Sequence, residues 1–157
     1  MNKIAVIYHI NCPDGFGAAW VAYQKFGKKA DYFGVPPRGV PEEPLEQYSE
    51  IYALDTSFTP ETLKTLMAAG KRLVVIDHHA SSKEDIELAK EFVFNTKHSA
   101  AVLTWKYFFP KKKLPQLLKY IEDGDLWNLT LPKAESIRAY LAMIELSFSN
   151  FSKLVKK

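Results

Sequence analysis

The stretch that most constrains the fold is RLVVIDHH, residues 72–79, where four apolar residues lead directly into an aspartate and two histidines. An unbroken apolar run of this length is typical of a strand that is buried on both faces, as in a parallel sheet. Asp77, His78 and His79 would then stand at the carboxyl end of that strand, where parallel sheets bind their ligands. A polar turn produces the same local pattern, so the rest of the chain decides between the two interpretations.

Further apolar runs predict neighbouring strands at residues 3–8, 30–35 and 51–54, with a brief edge strand at 92–94. Apolar spacing of three to four residues predicts helices between them. The expected helices cover residues 16–26, 60–67, 84–90, 100–109, 115–127 and 133–146, and a short basic tail is expected after residue 146. Strands that alternate with helices imply βαβ units with right-handed crossovers.

The length and composition favour one domain. The chain has 157 residues, of which 47% are hydrophobic, enough for a single core. No internal repeat or low-complexity linker divides it. We therefore expect one α/β domain over residues 1–157, with a mainly parallel sheet flanked by helices.

Charge and cysteine content narrow the class of protein. A net charge of +3 is too small to indicate a nucleic-acid-binding stripe by itself. The single cysteine, Cys12, excludes an intrachain disulfide framework and favours a reducing compartment. The apolar run at residues 4–7 is shorter than a secretory signal, and no stretch approaches the roughly twenty apolar residues of a membrane span. We expect a soluble, cytoplasmic protein without a membrane partner.

Polar side chains of the kind that bind metals follow three of the predicted strands. His9 follows the first, Asp55 the third, and Asp77-His78-His79 the fourth. Because the carboxyl ends of parallel strands meet at one edge of the sheet, we expect these side chains to lie together. Several carboxylates in one place repel one another, and a bound cation relieves that repulsion.

The ligand types indicate the metal and the chemistry. Mixed histidine and aspartate ligands favour borderline ions such as manganese, whereas magnesium, the alternative, prefers oxygen ligands. Two ions that share a bridging aspartate suit the transfer of a phosphoryl group to water. No glycine-rich phosphate loop is present, which argues against a P-loop nucleotidase or kinase. The residues therefore predict metal-assisted hydrolysis of a phosphoester.

The order of these motifs resembles that of the DHH phosphoesterase superfamily. This superfamily includes single-strand exonucleases, oligoribonucleases, cyclic-dinucleotide phosphodiesterases and family II inorganic pyrophosphatases. The four matching segments are His9 through Asp14-Gly15, Asp55, Asp77-His78-His79, and Asp123-Gly124-Asp125. The resemblance extends over most of the chain, to about Trp127, and implies a DHH-type N-terminal catalytic domain.

The resemblance also implies roles for individual residues. Asp55 would bridge two manganese ions, with His9 on one ion and Asp14, His78 and an aspartate of the fourth motif on the other. In that motif we prefer Asp123 to Asp125, because Asp123 directly follows the apolar end of its helix. His79 would face the substrate phosphate, and Asp77 would orient the histidines.

Three further residues are candidates for phosphate binding. Ser99, next to His98, falls where relatives offer backbone amides and a hydroxyl to phosphate. Arg38 is the only fixed cation in its proline-rich loop, where it is either a phosphate contact or a surface arginine. For Asp14, the structural alternative to metal binding is a helix N-cap, because it stands where the cap of the first helix would be.

Two features depart from the superfamily pattern. Asn11 and Cys12 occupy positions where relatives commonly have another aspartate, so they are doubtful ligands, and a thiolate would favour a softer ion. In addition, no glycine-rich C-terminal substrate-binding domain is found. The expectation is a minimal single-domain enzyme, or one whose substrate half comes from dimerisation into a homo-oligomer or from a partner.

The leading prediction is a manganese-dependent phosphoesterase that acts on a nucleotide, another phosphorylated small molecule or a short oligonucleotide. Two alternatives stay open: a nucleotide-binding regulatory module that has lost turnover, and an inorganic pyrophosphatase. Trp20, Trp105 and Trp127 could stack nucleic-acid bases, but helical spacing favours core packing for at least two of them.

Overall fold

The computed structural model describes residues 3–156 and contains one sheet of five parallel strands. The strands are β1 (Ile4–His9), β2 (Ala30–Val35), β3 (Glu50–Leu54), β4 (Arg72–Asp77) and β5 (Glu91–Phe94). Their order in the sheet is β2-β1-β3-β4-β5, and every neighbouring pair runs parallel. The predicted α/β class with a mainly parallel sheet is confirmed.

Within residues 3–156, seven α-helices flank the sheet. They are α1 (Pro13–Phe26), α2 (Pro60–Ala68), α3 (Lys83–Ile86), α4 (Ala100–Phe108), α5 (Gln116–Asp125), α6 (Ala134–Met143) and α7 (Phe148–Val155). Side-chain oxygens of Thr59, Ser99 and Ser147 accept hydrogen bonds from the first turns of α2, α4 and α7, which satisfies amides that have no partner within the helix. Among residues 3–156, no helix is both long and apolar enough to cross a membrane.

Two hydrophobic cores lie on opposite faces of the sheet. Successive side chains of a strand point to opposite faces, so Val6 joins one core and Ile7 the other. The first core holds the apolar sides of α1, α4, α5, α6 and α7, and the second holds those of α2 and α3. Burial on both faces explains why the strands read as continuous apolar runs.

The chain after residue 146 differs from the expected basic tail, because it forms α7. Phe151 is fully buried in this helix, with its ring 5.3 Å from that of Phe16 and 6.0 Å from that of Trp20. Phe148 stacks on Tyr23 at 4.4 Å. Ser147 as the cap, followed by aromatic residues three apart, is the sequence signal for this helix.

The tryptophans divide as predicted between core and surface. Trp20 and Trp105 are 3% and 9% exposed and stack in parallel with their rings 6.3 Å apart. Trp127 is 67% exposed, and the Arg138 guanidinium lies 4.0 Å from its ring centre. Two smaller differences are that α3 ends at Ile86 and α6 at Met143, earlier than the sequence pattern predicts.

Candidate metal centre

The metal-binding types of side chain converge at the carboxyl edge of three adjacent strands. His9 is the last residue of β1, Asp55 follows β3 directly, and Asp77 is the last residue of β4. Because β1, β3 and β4 are neighbours in the sheet, their ends bring these residues together with His78 and His79, as the strand pattern predicts.

Asp55 lies at the centre of this cluster. Its backbone takes a positive φ of 57°, uncommon for a residue other than glycine and typical of functional sites. Its amide donates to the carbonyl of Ile76 at 2.9 Å, which fixes the turn after β3. The buried carboxylate faces a histidine on each side, with Oδ2 3.4 Å from His9 Nδ1 and Oδ1 3.4 Å from His78 Nε2.

A second group of side chains surrounds His78. Its Nε2 lies 3.6 Å from Asp14 Oδ2 and 3.4 Å from Asp125 Oδ2. Asp14 comes from the first turn of α1, and Asp125 is the last residue of α5. Burial raises the pKa of Asp14 well above its usual value, and the negative charges of Asp55 and Asp125 raise it further. This is the repulsion that a cation relieves.

Asp77 holds the two histidines in place. Its Oδ1 accepts hydrogen bonds from the backbone amides of His78 at 2.7 Å and His79 at 3.3 Å, and lies 2.7 Å from His79 Nδ1. This hydrogen bond raises the pKa of His79 to about 9, against the opposing effect of burial. In this geometry Asp77 sets the orientation of the imidazole of His79.

The buried polar atoms of the cluster provide the test of whether it suits a metal. Among residues 3–156, the buried side-chain nitrogen and oxygen atoms that lack a hydrogen-bond partner are Oδ1 and Oδ2 of Asp55, Oδ2 of Asp77, and Nε2 of His78. The contacts of 3.4 Å around Asp55 are too long for well-formed hydrogen bonds. Such unsatisfied atoms cost about 1–3 kcal/mol each, and a cation would give each of them a partner.

The donor atoms fall into sets whose members lie within 4.8 Å of one another. One set is His9, Cys12 and Asp55, and another is Asp14, His78 and Asp125. A third combines Asp55 with Asp77, His78 and His79. Asp55 belongs to the first and third sets and His78 to the second and third, so the three sets adjoin one another and are made of residue types that bind divalent cations.

The structure corrects the choice within the fourth motif, because Asp125 and not Asp123 faces the cluster. Asp123 is buried, and its carboxylate accepts three hydrogen bonds from the loop after α5. Its Oδ1 accepts from Thr130 N at 3.0 Å and from Thr130 Oγ1 at 2.8 Å. Its Oδ2 accepts from Leu131 N at 3.1 Å. Residues two apart on a helix are rotated by about 200°, so only one of the two aspartates can face the cluster.

The start of α4 does not offer its amides to phosphate, which corrects the prediction for Ser99. Ser99 is fully buried. Its amide donates to Glu122 Oε2 at 3.0 Å. The next two amides donate to the Asp14 carboxylate, Ala100 N to Oδ2 at 2.7 Å and Ala101 N to Oδ1 at 2.9 Å. The amide of Val102 donates to Ser99 Oγ at 3.4 Å. Asp14 therefore caps α4, whereas α1, the helix that contains it, begins after Cys12 without a side-chain cap.

His98 is likewise occupied by neighbouring side chains. Its Nδ1 lies 3.0 Å from Glu122 Oε2, and its Nε2 lies 2.8 Å from Lys106 Nζ. These contacts hold His98 against α4 and α5. The structure gives no support to a phosphate-binding role for His98.

Arg38 lies beside the cluster. A cavity of about 150 Å³ is lined by His9, Asp55, Asp77 and His79 of the cluster, and also by Arg38, Ser81 and Ser82. The Arg38 amide donates to Thr56 Oγ1 at 3.2 Å, and its half-exposed guanidinium contacts Asp85. Sequence reasoning did not find Ser81 and Ser82 as lining residues, because their position follows from the tight turn after His79.

Asn11 and Cys12 face different surroundings. Cys12 belongs to the set with His9 and Asp55, and burial, followed by the charge of Asp55, raises the pKa of its thiol to about 12. Asn11, with a φ of 57°, lines a separate cavity of about 520 Å³ with Tyr8 and other residues. The two positions that depart from the superfamily pattern are therefore not equivalent.

Comparisons with known proteins bear on the fold. No family model matches the chain. A relative named "Uncharacterized protein R106", from Acanthamoeba polyphaga mimivirus, is 28% identical over an alignment of 163 residues including gaps. The match covers 92% of this chain and 38% of the relative. This chain thus spans well under half of the length of that relative.

Three solved structures have a similar fold. An uncharacterized protein from Helicobacter pylori G27 has a TM-score of 0.65 at 14% identity, over 90% of this chain and 55% of that chain. Exonuclease RecJ bound to manganese has a TM-score of 0.50 at 16% identity, over 89% and 42%. RecJ in complex with Mn²⁺ from Thermus thermophilus has a TM-score of 0.51 at 19% identity, over 90% and 21%. These likenesses support a DHH-like fold.

Proposed function

We propose that this protein is a metal-dependent phosphohydrolase of the DHH type that acts on phosphoesters of nucleotides or short oligonucleotides. The observation that carries the proposal is the buried group of unpartnered donor atoms on Asp55, Asp77 and His78. Metal ions held by Asp55 and His78 would give the atoms of these two residues partners, and the manganese in both RecJ structures of similar fold supports the same type of ion. In this proposal residues 1–157 form one catalytic domain.

The proposed metal ligands follow the donor sets. Asp55 would lie between two ions, with His9 on one side and Asp14, His78 and Asp125 on the other. When bound, the ions would supply Lewis-acid stabilisation of the charge that develops on the phosphoryl oxygens and would lower the pKa of water. Manganese is the proposed ion, and magnesium is the alternative for the oxygen-rich set.

The other residues of the site would bind and orient the phosphate. Arg38, Ser81 and Ser82 line the small cavity beside the cluster. The two hydroxyl groups are phosphate-binding groups, and the Arg38 guanidinium, paired with Asp85 in this structure, would bind phosphate by exchanging that partner. His79 lines the same cavity, and the contact of its Nδ1 with Asp77 orients the imidazole. From this position His79 would donate a hydrogen bond to a phosphoryl oxygen or a proton to the leaving oxygen.

The test compares substrates and variants with the full chain. Metal-free protein is reconstituted with Mn²⁺ and assayed on a dinucleotide, a nucleoside monophosphate and inorganic pyrophosphate. We expect hydrolysis of at least one nucleotide substrate and a loss of about 100-fold or more in Asp55→Asn and His78→Ala, since metal charge stabilisation contributes several kcal/mol.

Glu84→Gln, at an exposed position of α3, provides a matched control, because it removes a carboxylate that belongs to none of the donor sets. It is expected to keep the wild-type rate, and two metal ions per chain are expected by elemental analysis. Retention of activity in Asp55→Asn, or the absence of both metal binding and hydrolysis in the wild type, would refute the proposed function. Hydrolysis of pyrophosphate alone would replace the nucleotide substrate with an inorganic one.

A further inference from the structure

The two donor sets that flank Asp55 differ in their chemistry. The set around His78 adds the carboxylates of Asp14 and Asp125, so hard oxygen atoms dominate it. The set around His9 adds the sulfur of Cys12. Thiolate ligands select soft or borderline ions such as Zn²⁺, whereas carboxylates suit manganese and magnesium.

The backbone brings Cys12 to the cluster by a specific arrangement. Pro13 starts α1, and Phe16 N donates to the carbonyl of Cys12 at 2.9 Å, so Cys12 is the last residue before the helix. Gly15 lets this turn approach β1 closely, because a Cβ atom there would lie 2.3 Å from the carbonyl oxygen of His9. The thiol therefore lies beside the imidazole as a result of the packing between α1 and β1.

A second observation points to a ligand at this place. The Asp55 carboxylate is 2% exposed, both of its oxygens lack a hydrogen-bond partner, and Oδ2 is directed at His9 at 3.4 Å. A buried carboxylate that lacks a hydrogen-bond partner and lies beside a thiol and an imidazole is an environment that a cation completes. Cys12 and His9 are partly exposed, which leaves a path for an ion to enter.

We infer that the cluster is built for two unlike ions, a soft or borderline ion such as Zn²⁺ on His9, Cys12 and Asp55, and a harder ion such as Mn²⁺ on Asp14, His78 and Asp125. The inference rests on the proposed metal cluster and deepens it by giving the thiol a role. Three protein ligands leave a tetrahedral ion one open position, which substrate or water can occupy. Asp55 belongs to the thiol-containing set and also faces His78, so it connects the two sites.

The test uses Co²⁺ and Cd²⁺ as spectroscopic probes of the metal-free full chain. A thiolate ligand gives a near-ultraviolet sulfur-to-metal charge-transfer band, and no other cysteine can produce it because Cys12 is the only one. We expect the band in the wild type and in Asp125→Asn, and its loss in Cys12→Ser. The affinity for Zn²⁺ should fall by about tenfold or more in Cys12→Ser, because even outer partners of a ligand change metal affinity by about 10–100-fold.

Cys12→Asp supplies the complementary variant. Replacing the sulfur with a carboxylate should abolish the band and shift the preference of this site from Zn²⁺ toward Mn²⁺. Circular dichroism of each variant checks that the fold is kept. Tight metal binding without any charge-transfer band would overturn the inference and leave the proposed phosphohydrolase standing. A wild type that binds no metal would overturn both.

Discussion

Asp123 and Asp125 lie two residues apart on α5 and provide a matched pair of substitutions with opposite expected effects. The Asp123 carboxylate receives three hydrogen bonds from Thr130 and Leu131, whereas that of Asp125 approaches His78 in the cluster. In Asp123→Asn, one acceptor oxygen becomes an NH₂ group, which cannot accept its hydrogen bond. We expect that variant to be destabilised and Asp125→Asn to lose metal affinity.

The expected loss of stability in Asp123→Asn follows from the hydrogen bonds to its carboxylate. Hydrogen bonds to a charged group contribute about 1.5–3 kcal/mol each, and a buried donor left without a partner adds a similar penalty. Because one such bond is lost and the others are weakened, we expect the free energy of unfolding of Asp123→Asn to be lower by about 2–4 kcal/mol. For a chain of this size that corresponds to a melting temperature lower by about 4–16 °C. Metal affinity should change little once the protein is folded.

The difference in stability between the wild type and Asp123→Asn depends on pH in a direction that the pKa of Asp123 determines. Burial alone would raise the pKa of Asp123, but the hydrogen bonds from Leu131 and Thr130 outweigh it and lower the pKa below the ordinary value of 3.8. A lowered pKa contributes stability that is present above the unfolded value and disappears as the pH falls through the folded value. The gap in stability between the wild type and Asp123→Asn should therefore narrow below about pH 4.

Asp125→Asn should behave in the reverse manner. Burial raises the pKa of Asp125; the charge of His78 lowers it, and the charge of Asp55 raises it further. Removal of its charge should change the stability of the metal-free protein by less than about 1 kcal/mol, while Mn²⁺ affinity falls by about tenfold or more. Urea unfolding and isothermal titration measure both quantities. Wild-type stability in Asp123→Asn, or wild-type Mn²⁺ affinity in Asp125→Asn, would refute the assignment of roles.

Further substitutions test the packing around the site. Phe151→Ala should destabilise the protein by about 3–5 kcal/mol in urea unfolding, because it removes a fully buried ring. Met143→Ala, at a side chain that is 85% exposed, should change the free energy of unfolding by no more than about 0.5 kcal/mol. Gly15→Ala should weaken metal binding in a titration, because its Cβ would push α1 away from His9; binding equal to the wild type would show that the close approach is not required.

The sequence predicts the sheet and the place of the cluster because both depend on local patterns. The apolar runs that end at His9, Asp55 and Asp77 became β1, β3 and β4, and parallel pairing brought their ends together. The choice between Asp123 and Asp125 was wrong for a different physical reason. Which of them faces the cluster depends on the rotation of α5 about its axis, which neighbouring elements fix and spacing alone does not.

Long-range contacts account for the remaining differences. Nothing near Ser99 in the sequence indicates that Asp14 and Glu122 occupy the amides at the start of α4. Similarly, α7 has only eight residues, so its stability comes from the docking of Phe148 and Phe151 against α1. Such contacts require the tertiary structure before they can be seen.

The hydrogen bonds between Asp14 and α4 join residues that lie 86 and 87 positions apart in the chain. The same carboxylate borders His78, so one side chain connects the first turn of α4 with the cluster. A change in the position of Asp14 therefore affects both. Hydrogen exchange at the amides of Ala100 and Ala101 measures this connection. An ion that restricts the movement of Asp14 also slows the opening of the first turn of α4, so both amides should exchange more slowly when metal is bound.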